Sequence, residues 1–107
     1  MNWAGLPAFV PDWNLPVGVR ALQTECGVGA APDGGFNYGG FNLGDHVGDD
    51  VQQVNRHREC LARAIGATPF WLRQVHGTEV CELTPATVAP VEADAVMTEQ
   101  RALACTI

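Results

Sequence analysis

The stretch Trp71-Leu72-Arg73-Gln74-Val75-His76-Gly77-Thr78-Glu79-Val80 decides the fold prediction for this 107-residue chain. Apolar and polar residues are interspersed along it on both sides of the His-Gly pair. This pattern predicts two short strands joined by a tight turn, in which Gly77 takes a positive φ. The predicted hairpin runs from Pro69 to about Leu83. A histidine at the tip of such a turn is held by strands on both sides without being buried among them, so His76 is a candidate ligand-binding residue.

Composition and charge exclude several classes of protein. Hydrophobic residues make up 47% of the chain, which is enough for the core of one small domain or of part of a larger one. The net charge is −6 and the six basic residues are scattered arginines, so nucleic acid is not expected as the main partner. No apolar run approaches the roughly 20 residues of a membrane span, and the first residues do not resemble a signal peptide. We therefore expect a cytoplasmic protein without a membrane partner.

The four cysteines, Cys26, Cys60, Cys81 and Cys105, lie far apart and form no Cys-x-x-Cys pair. In a reducing compartment this spacing predicts four free thiols, most of them buried and inert. It also disfavours a zinc site built from these four residues alone.

The first half of the chain predicts little regular structure. Residues 1–16 are rich in proline and tryptophan, which predicts an extended arm lying over an apolar surface. Residues 17–24 predict the first true strand. Residues 26–50 are glycine-rich and predict a long loop, pinned by aromatic side chains, that is either functional or disordered. The glycine spacing does not fit a phosphate-binding loop, because no lysine and no helix follow it directly.

A helix is predicted from about residue 51 to residue 65. Asp50 is a good N-cap, Gln53 stands where it would close a capping box, and Gly66 supplies the stop. Apolar residues recur between them at near-helical spacing: Val51, Val54, Leu61, Ala62 and Ile65. On spacing alone Asn55 and Arg56 are surface residues, and His57, which stands between two arginines, is expected to face solvent.

Two buried strands are predicted after a proline-containing loop at residues 84–90, at residues 93–98 and 102–107. The last strand is apolar up to the final residue without a turn signal, so we expect the natural domain to continue and this chain to be truncated. An open edge at this strand would favour pairing with a second copy, as a homodimer or an aggregate. Asp94, between two alanines at the start of a strand, either orders a loop or neighbours a site.

Four segments in this order closely resemble the YfiH family, whose members are described as laccase-domain or polyphenol-oxidoreductase proteins and as purine nucleoside phosphorylases. The match covers residues 17–107, which would form the N-terminal portion of a YfiH-like laccase domain behind the arm at 1–16. The segments are Phe41-Asn42-Leu43-Gly44-Asp45-His46-Val47-Gly48-Asp49-Asp50, Val54-Asn55-Arg56, Trp71-Leu72-Arg73-Gln74-Val75-His76-Gly77 and Ala93-Asp94-Ala95-Val96-Met97-Thr98.

The resemblance implies an α/β (α+β) fold, with a layered mixed sheet and flanking helices, in longer proteins. It also implies a zinc site of one cysteine and two histidines, of which His76 matches the first histidine. The cysteine belongs to a Thr-Ala-Asp-Cys motif and the second histidine to a His-Ala-Gly-Trp-Arg-Gly motif, and this sequence contains neither motif. Cys105 is not that ligand, because it lies in the strand that leads to it.

Asn42 and Arg56 match family positions that line the same pocket. The resemblance therefore moves Arg56 from the surface to a predicted catalytic and phosphate-binding role, since a fixed guanidinium suits an anion. Asn42 is predicted to donate a hydrogen bond to the base or the ribose. Relatives often have Thr-x-Arg-x-Gly-Gly after the first strand, whereas this chain has Thr24-Glu25-Cys26-Gly27-Val28-Gly29. A cysteine thus stands where the family arginine would contact an anion.

The activity that the resemblance implies is phosphorolysis of purine nucleosides such as adenosine and inosine, with adenosine deamination as an additional activity. The isolated chain is expected to be inactive, because a catalytic zinc normally needs three protein ligands. One alternative is a copper polyphenol oxidase of the laccase type, which would need several histidine-rich ligand sets, while this sequence has only His46, His57 and His76. For His46, packing within its loop is favoured over a role in zinc binding. The other alternative is a non-catalytic fragment that pairs through its open edge.

Overall fold

The computed structural model describes residues 5–26 and 39–107. The chain divides into two compact units, Met1–Ala64 and Ile65–Ile107, which are described separately. The described residues combine helix and strand, which confirms the mixed α/β class; the layered sheet with flanking helices stays a prediction. The elements are β1 (Ala8–Phe9), β2 (Gln23–Thr24), α1 (Val51–Ile65), β3 (Thr68–Phe70), β4 (Leu72–Arg73), β5 (Val80–Leu83), β6 (Val91–Glu92), β7 (Ala95–Thr98) and β8 (Leu103–Cys105).

In the first unit the predicted strand at residues 17–24 is reduced to its last two residues. The chain turns before them, because the Val19 N–H donates to the Pro16 carbonyl at 3.1 Å and Gly18 takes a φ of +85°. A glycine with a positive φ at the third position of a four-residue turn favours that turn over an extended strand. The surviving strand β2 pairs antiparallel with β1, which lies within the predicted N-terminal arm. The first four residues of that arm, and residues 27–38 of the predicted long loop, lie outside the described residues.

Helix α1 has the predicted bounds. The Asp50 carboxylate caps it by accepting from the Gln52 N–H at 2.9 Å, and Gly66 ends it with a φ of +66°. The predicted capping box is wrong, however. The Gln53 side chain accepts a hydrogen bond from Arg56, and the Asp50 N–H donates instead to the Asp49 carboxylate at 2.7 Å.

One face of α1 carries the buried residues Val54, Leu61 and Ile65. His57 stands three residues after Val54 and four before Leu61, so it lies on that face and is half-buried. The prediction that His57 faces solvent is therefore wrong. Val51, one turn before Val54, belongs to the predicted apolar set but is 59% exposed.

In the second unit, strands β3 and β8 pair in parallel, with Thr68 opposite Leu103 and Phe70 opposite Cys105. The Thr106 hydroxyl extends this pairing by donating to the Phe70 carbonyl at 2.6 Å. Both predicted strands near the C-terminus are present in shortened form, as β7 and β8. They are half-buried to exposed within this chain, so the prediction that they are buried is wrong.

The predicted hairpin around Gly77 does not form. Strand β4 pairs in parallel with β6, and β5 pairs in parallel with β7, while β4 and β5 do not pair with each other in the described structure. Paired residues are 19 positions apart in β4 and β6 but only 15 positions apart in β5 and β7. The segment 74–79 therefore holds four more residues than the segment 93–94 opposite it. The extra residues bulge out as a loop, and this loop carries His76. Alternation of apolar and polar residues predicts strands but does not say which strands pair.

The four cysteines are thiols, and the prediction that most of them are buried is wrong. Cys26, Cys60 and Cys105 are exposed and Cys81 is half-buried. Although Cys105 is exposed as a residue, its thiol is partly buried, and this burial raises the pKa of the thiol. The helix found in the described residues is too short and too polar to cross a membrane.

Candidate functional site

The loop at residues 74–79 presents His76 in an uncommon backbone conformation. His76 has a φ of +57°, in the left-handed region, whereas Gly77 does not have a positive φ. The prediction that Gly77 takes the positive φ is therefore wrong by one residue. Histidine is one of the few residues with a side chain that visits this region with some frequency, although it costs energy there.

Asp94 holds this loop from the short segment between β6 and β7. Its Oδ1 accepts hydrogen bonds from the N–H groups of Val75 at 3.1 Å and His76 at 2.7 Å, and its Oδ2 accepts from the Gly77 N–H at 2.7 Å. Hydrogen bonding by Gly77 above all, and by the two neighbouring N–H groups, keeps the pKa of the Asp94 carboxyl below its usual value. Of the two alternatives for Asp94 in the sequence, ordering a loop is the one observed, and the loop is the one that carries His76.

The backbone closes the same loop at both ends. The Ala93 N–H donates to the Arg73 carbonyl at 3.1 Å, and the Asp94 N–H donates to the Glu79 carbonyl at 3.2 Å. His76 itself is exposed. Its imidazole therefore sits on a loop that is fixed to the strands but open to a ligand.

In the other unit, Asn42 folds the loop that precedes α1. Its amide nitrogen donates to the Gly44 carbonyl at 3.0 Å and to the Asp49 carboxylate at 3.2 Å, and its amide oxygen accepts from the Gly44 N–H at 3.1 Å. Both amide hydrogens are thus engaged within the loop, and only the oxygen retains capacity for another hydrogen bond.

Two residues of α1 that the sequence reasoning did not select hold the same loop. His57 Nδ1 lies 2.7 Å from the Asn42 carbonyl oxygen, and since a carbonyl only accepts, Nδ1 carries the hydrogen. Arg58 Nε donates to the Leu43 carbonyl at 2.8 Å, and its Nη2 lies 3.7 Å from the Asp45 carboxylate. Burial lowers the pKa of Arg58, and Asp45 partly offsets this. His57 and Arg58 stand three and four residues after the buried Val54, and this spacing is the signal in the sequence that places them on the buried side of α1.

Arg56 is exposed on α1 and donates to the Gln53 side chain. Its position two residues after the buried Val54 places it on another side of the helix. His46 has a side chain that is 73% exposed, with Nδ1 3.9 Å from the Asp45 carboxylate, so it is not packed into its loop as expected. Cys26, at the position of the family arginine, is exposed, and its carbonyl accepts from the Phe41 N–H at 2.7 Å.

The candidate residues therefore form two groups. His76 and Asp94 belong to the unit Ile65–Ile107, while Asn42, Arg56 and Arg58 belong to the unit Met1–Ala64. A pocket shared by His76, Arg56 and Asn42 stays a prediction. Among the described residues, no three histidine, cysteine, aspartate or glutamate side chains cluster in a way that could hold a metal ion.

Comparison with known proteins identifies the family. The model of the family described as multi-copper polyphenol oxidoreductase laccase matches residues 25–107. The chain belongs to this family. The sequence prediction of a YfiH-family protein is confirmed.

Curated relatives from this family carry a different name. The chain is similar to the purine nucleoside phosphorylase of Haemophilus influenzae, at 40% identity over 106 residues that cover 95% of the chain and 41% of the relative. A purine nucleoside phosphorylase of Pseudomonas aeruginosa is 40% identical over 92% of the chain and 39% of its own length. Purine nucleoside phosphorylase YfiH of Escherichia coli is 36% identical over 92% of the chain and 40% of its own length. The chain thus spans about two fifths of these relatives.

Proposed function

We propose that this chain takes part in the phosphorolysis of purine nucleosides such as inosine and adenosine. The names of three bacterial relatives at 36% to 40% identity support this substrate class. In the reaction a phosphate oxygen forms a bond to ribose C1′, the bond from C1′ to N9 of the purine breaks, and the base leaves with a proton. The protein must therefore bind a nucleoside and an anion side by side.

The observation that carries the proposal for this chain is the loop around His76. Three backbone hydrogen bonds to Asp94 hold an exposed histidine in a left-handed conformation. Strained backbone persists only where the surroundings enforce it, and such positions cluster at functional sites. His76 is proposed as a site residue on this ground, together with its match to the family motif.

A metal cofactor is part of the proposal, with zinc favoured and copper as the alternative. A zinc with an open coordination position would polarise a substrate atom or activate water. The described residues do not form a ligand set by themselves, since no three potential ligands cluster among them. The resemblance assigns the other two ligands to motifs that this sequence lacks, so we expect the 107-residue chain alone to be inactive.

Arg56 is proposed to bind phosphate. Its guanidinium is on an exposed part of α1, and the neighbouring Gln53 side chain, which accepts from it, is also exposed. An exposed guanidinium can form a bidentate pair with phosphate at little cost in lost interactions. Contact of Asn42 with the base or ribose would use the free capacity of its amide oxygen, or replace one of the hydrogen bonds that fold its loop.

The copper oxidase alternative follows from the description of the family as multi-copper polyphenol oxidoreductase laccase. Oxidation of phenols by several coppers requires several histidine-rich ligand sets, and the whole sequence contains three histidines. Adenosine deamination stays a prediction from the resemblance and would be measured as inosine formed without phosphate.

A chimaera tests the proposal. This chain replaces the 41% of the Haemophilus influenzae relative that it matches, and release of hypoxanthine from inosine is followed with and without phosphate. We expect phosphate-dependent release that His76→Ala abolishes, that Arg56→Ala weakens through a higher KM for phosphate, and that the control His46→Ala leaves intact. A folded chimaera that consumes oxygen with a phenol and copper, but releases no hypoxanthine, would contradict the proposal.

Two further predictions concern the protein as a whole. A cytoplasmic location suits its thiols, three of which are exposed. Formation of a homodimer through a strand edge is expected to appear in analytical ultracentrifugation as a mass twice that of the chain.

A further inference from the structure

The Asp94 carboxylate holds the loop that carries His76. Both of its oxygens are used, Oδ1 by the N–H groups of Val75 and His76 and Oδ2 by the N–H group of Gly77. Three successive backbone N–H groups thus converge on one anion, an arrangement known as a nest. Hydrogen bonds to a charged acceptor are about twice as strong as neutral ones.

The left-handed conformation of His76 makes this convergence possible. Successive N–H groups in an extended strand point to alternate sides, whereas a residue with φ of +57° between its neighbours turns them to one side. The conformation is unfavourable for a residue with a side chain, so the three hydrogen bonds that the carboxylate accepts must offset its cost. The left-handed conformation of His76 thus brings the three N–H groups together, and their hydrogen bonds to Asp94 stabilise that conformation.

The position of Asp94 makes it a specific partner for this loop. It lies on the segment opposite the bulge, and its own N–H donates to the Glu79 carbonyl at 3.2 Å, near the far end of the loop. A Cβ added at Gly77 would lie 3.4 Å from Asp94 Oδ2, so the carboxylate and the loop backbone are in close contact. One residue thereby fixes the middle of the loop with its side chain and the end with its backbone.

We propose that Asp94 is the positioning residue for His76, fixing the backbone of residues 75–77 in the conformation that presents the imidazole to its ligand. This deepens the proposed function and rests on it for the role of His76. Asp94 acts through the backbone of the loop and need not touch the substrate. The carboxylate is required because an amide in its place would direct an N–H at one of the backbone N–H groups.

Nuclear magnetic resonance of the 107-residue chain tests the structural half of the proposal. Asp94→Asn and Asp94→Ala are compared with Glu92→Gln, a matched change from acid to amide two residues earlier, at a side chain that is 69% exposed. We expect exchange of the Val75, His76 and Gly77 amides to accelerate at least about tenfold in both Asp94 variants and not in the control. The one-bond Cα–Hα coupling of His76, which distinguishes positive from negative φ, should lose its left-handed value.

The amides of β5 and β7 serve as the internal reference, because they should keep their protection if the effect is confined to the loop. Asp94→Glu, which retains the charge, is expected to restore part of the protection of the loop amides. Unchanged exchange and coupling in Asp94→Asn would overturn the proposal. So would equal loss of protection throughout β5 and β7, since Asp94 would then support the whole unit and not the loop.

The chimaera separates this proposal from the proposed function. We expect Asp94→Asn to lower kcat for phosphorolysis at least about tenfold, while Glu92→Gln has no effect. Full activity of Asp94→Asn with loss of activity in His76→Ala would overturn the positioning role and leave the proposed function intact. Full activity of both variants would overturn both proposals.

Discussion

Replacement of Arg58 by alanine is expected to destabilise helix α1 and the loop before it. Arg58 Nε donates to the Leu43 carbonyl at 2.8 Å, and only 18% of its side chain is exposed. Removal of the side chain leaves the half-buried carbonyl of Leu43 without this donor. Arg56, two residues earlier, provides the contrast, since it is exposed and the resemblance assigns it to the site.

The structure sets the size of the effect. Loss of a hydrogen bond from a charged donor to a partly buried carbonyl costs about 1.5 to 3 kcal/mol. The ion pair with Asp45 adds little, because its atoms are 3.7 Å apart and the Asp45 side chain is 57% exposed. We therefore expect Arg58→Ala to lower the free energy of unfolding by about 2 kcal/mol, and the midpoint of thermal unfolding by about 8 °C.

Circular dichroism at 222 nm is the assay, since α1 supplies the helical signal of the described residues. Arg56→Ala is the matched control, and its hydrogen bond to Gln53 within one turn should be worth no more than about 0.5 kcal/mol. Asp45→Asn should also change stability by less than about 0.5 kcal/mol. If Asp45→Asn destabilises the chain as much as Arg58→Ala, the ion pair and not the Leu43 hydrogen bond is responsible, and the reasoning is refuted.

Three further predictions concern a glycine, the core and a thiol. Gly39→Ala should destabilise the chain by more than Gly18→Ala in urea unfolding. Both glycines have a positive φ, but at Gly39 an added Cβ would also lie 2.4 Å from the Cys26 carbonyl oxygen, whereas at Gly18 it would meet nothing within 4 Å. Equal losses of stability in the two variants would contradict this. Val54→Ala should cost about 2 kcal/mol by circular dichroism, since Val54 is fully buried, and a loss below about 0.5 kcal/mol would show that the site collapses without a cavity. Cys105 should react with iodoacetamide at pH 8 more slowly in the folded chain than in the urea-unfolded chain, because partial burial raises its pKa and the thiolate is the reactive form. The rates are measured by mass spectrometry of the labelled peptide, and equal rates in the two states would contradict the prediction.

Local signals in the sequence predicted local structure well. Helix α1 begins and ends at the predicted residues because its cap, Asp50, and its stop, Gly66, lie next to the residues whose conformation they set. The same signals predict the wrong environment for His57, because the spacing of apolar residues does not show that a polar residue shares the buried face. A histidine or arginine can occupy that face when its polar atoms reach backbone carbonyls, as those of His57 and Arg58 do.

Pairing between distant strands could not be predicted from the same signals. The mixed apolar and polar residues on both sides of His76 predicted two strands, but the partners of these strands, β6 and β7, lie 15 to 19 residues further along the chain. The contact between Asp94 and the loop depends on that register, so no local pattern indicated it. The family motif predicted that His76 matters, while the structure shows what holds it.

The proposed activity depends on the fate of the phosphate. The most direct test incubates the folded chimaera with inosine and ³²P-labelled orthophosphate, and follows label in the pentose product together with free hypoxanthine. Phosphorolysis predicts label in ribose 1-phosphate in equal amount to the hypoxanthine released, and loss of both products in His76→Ala. Release of hypoxanthine without label in the sugar, or equal transfer of label by His76→Ala, would contradict it.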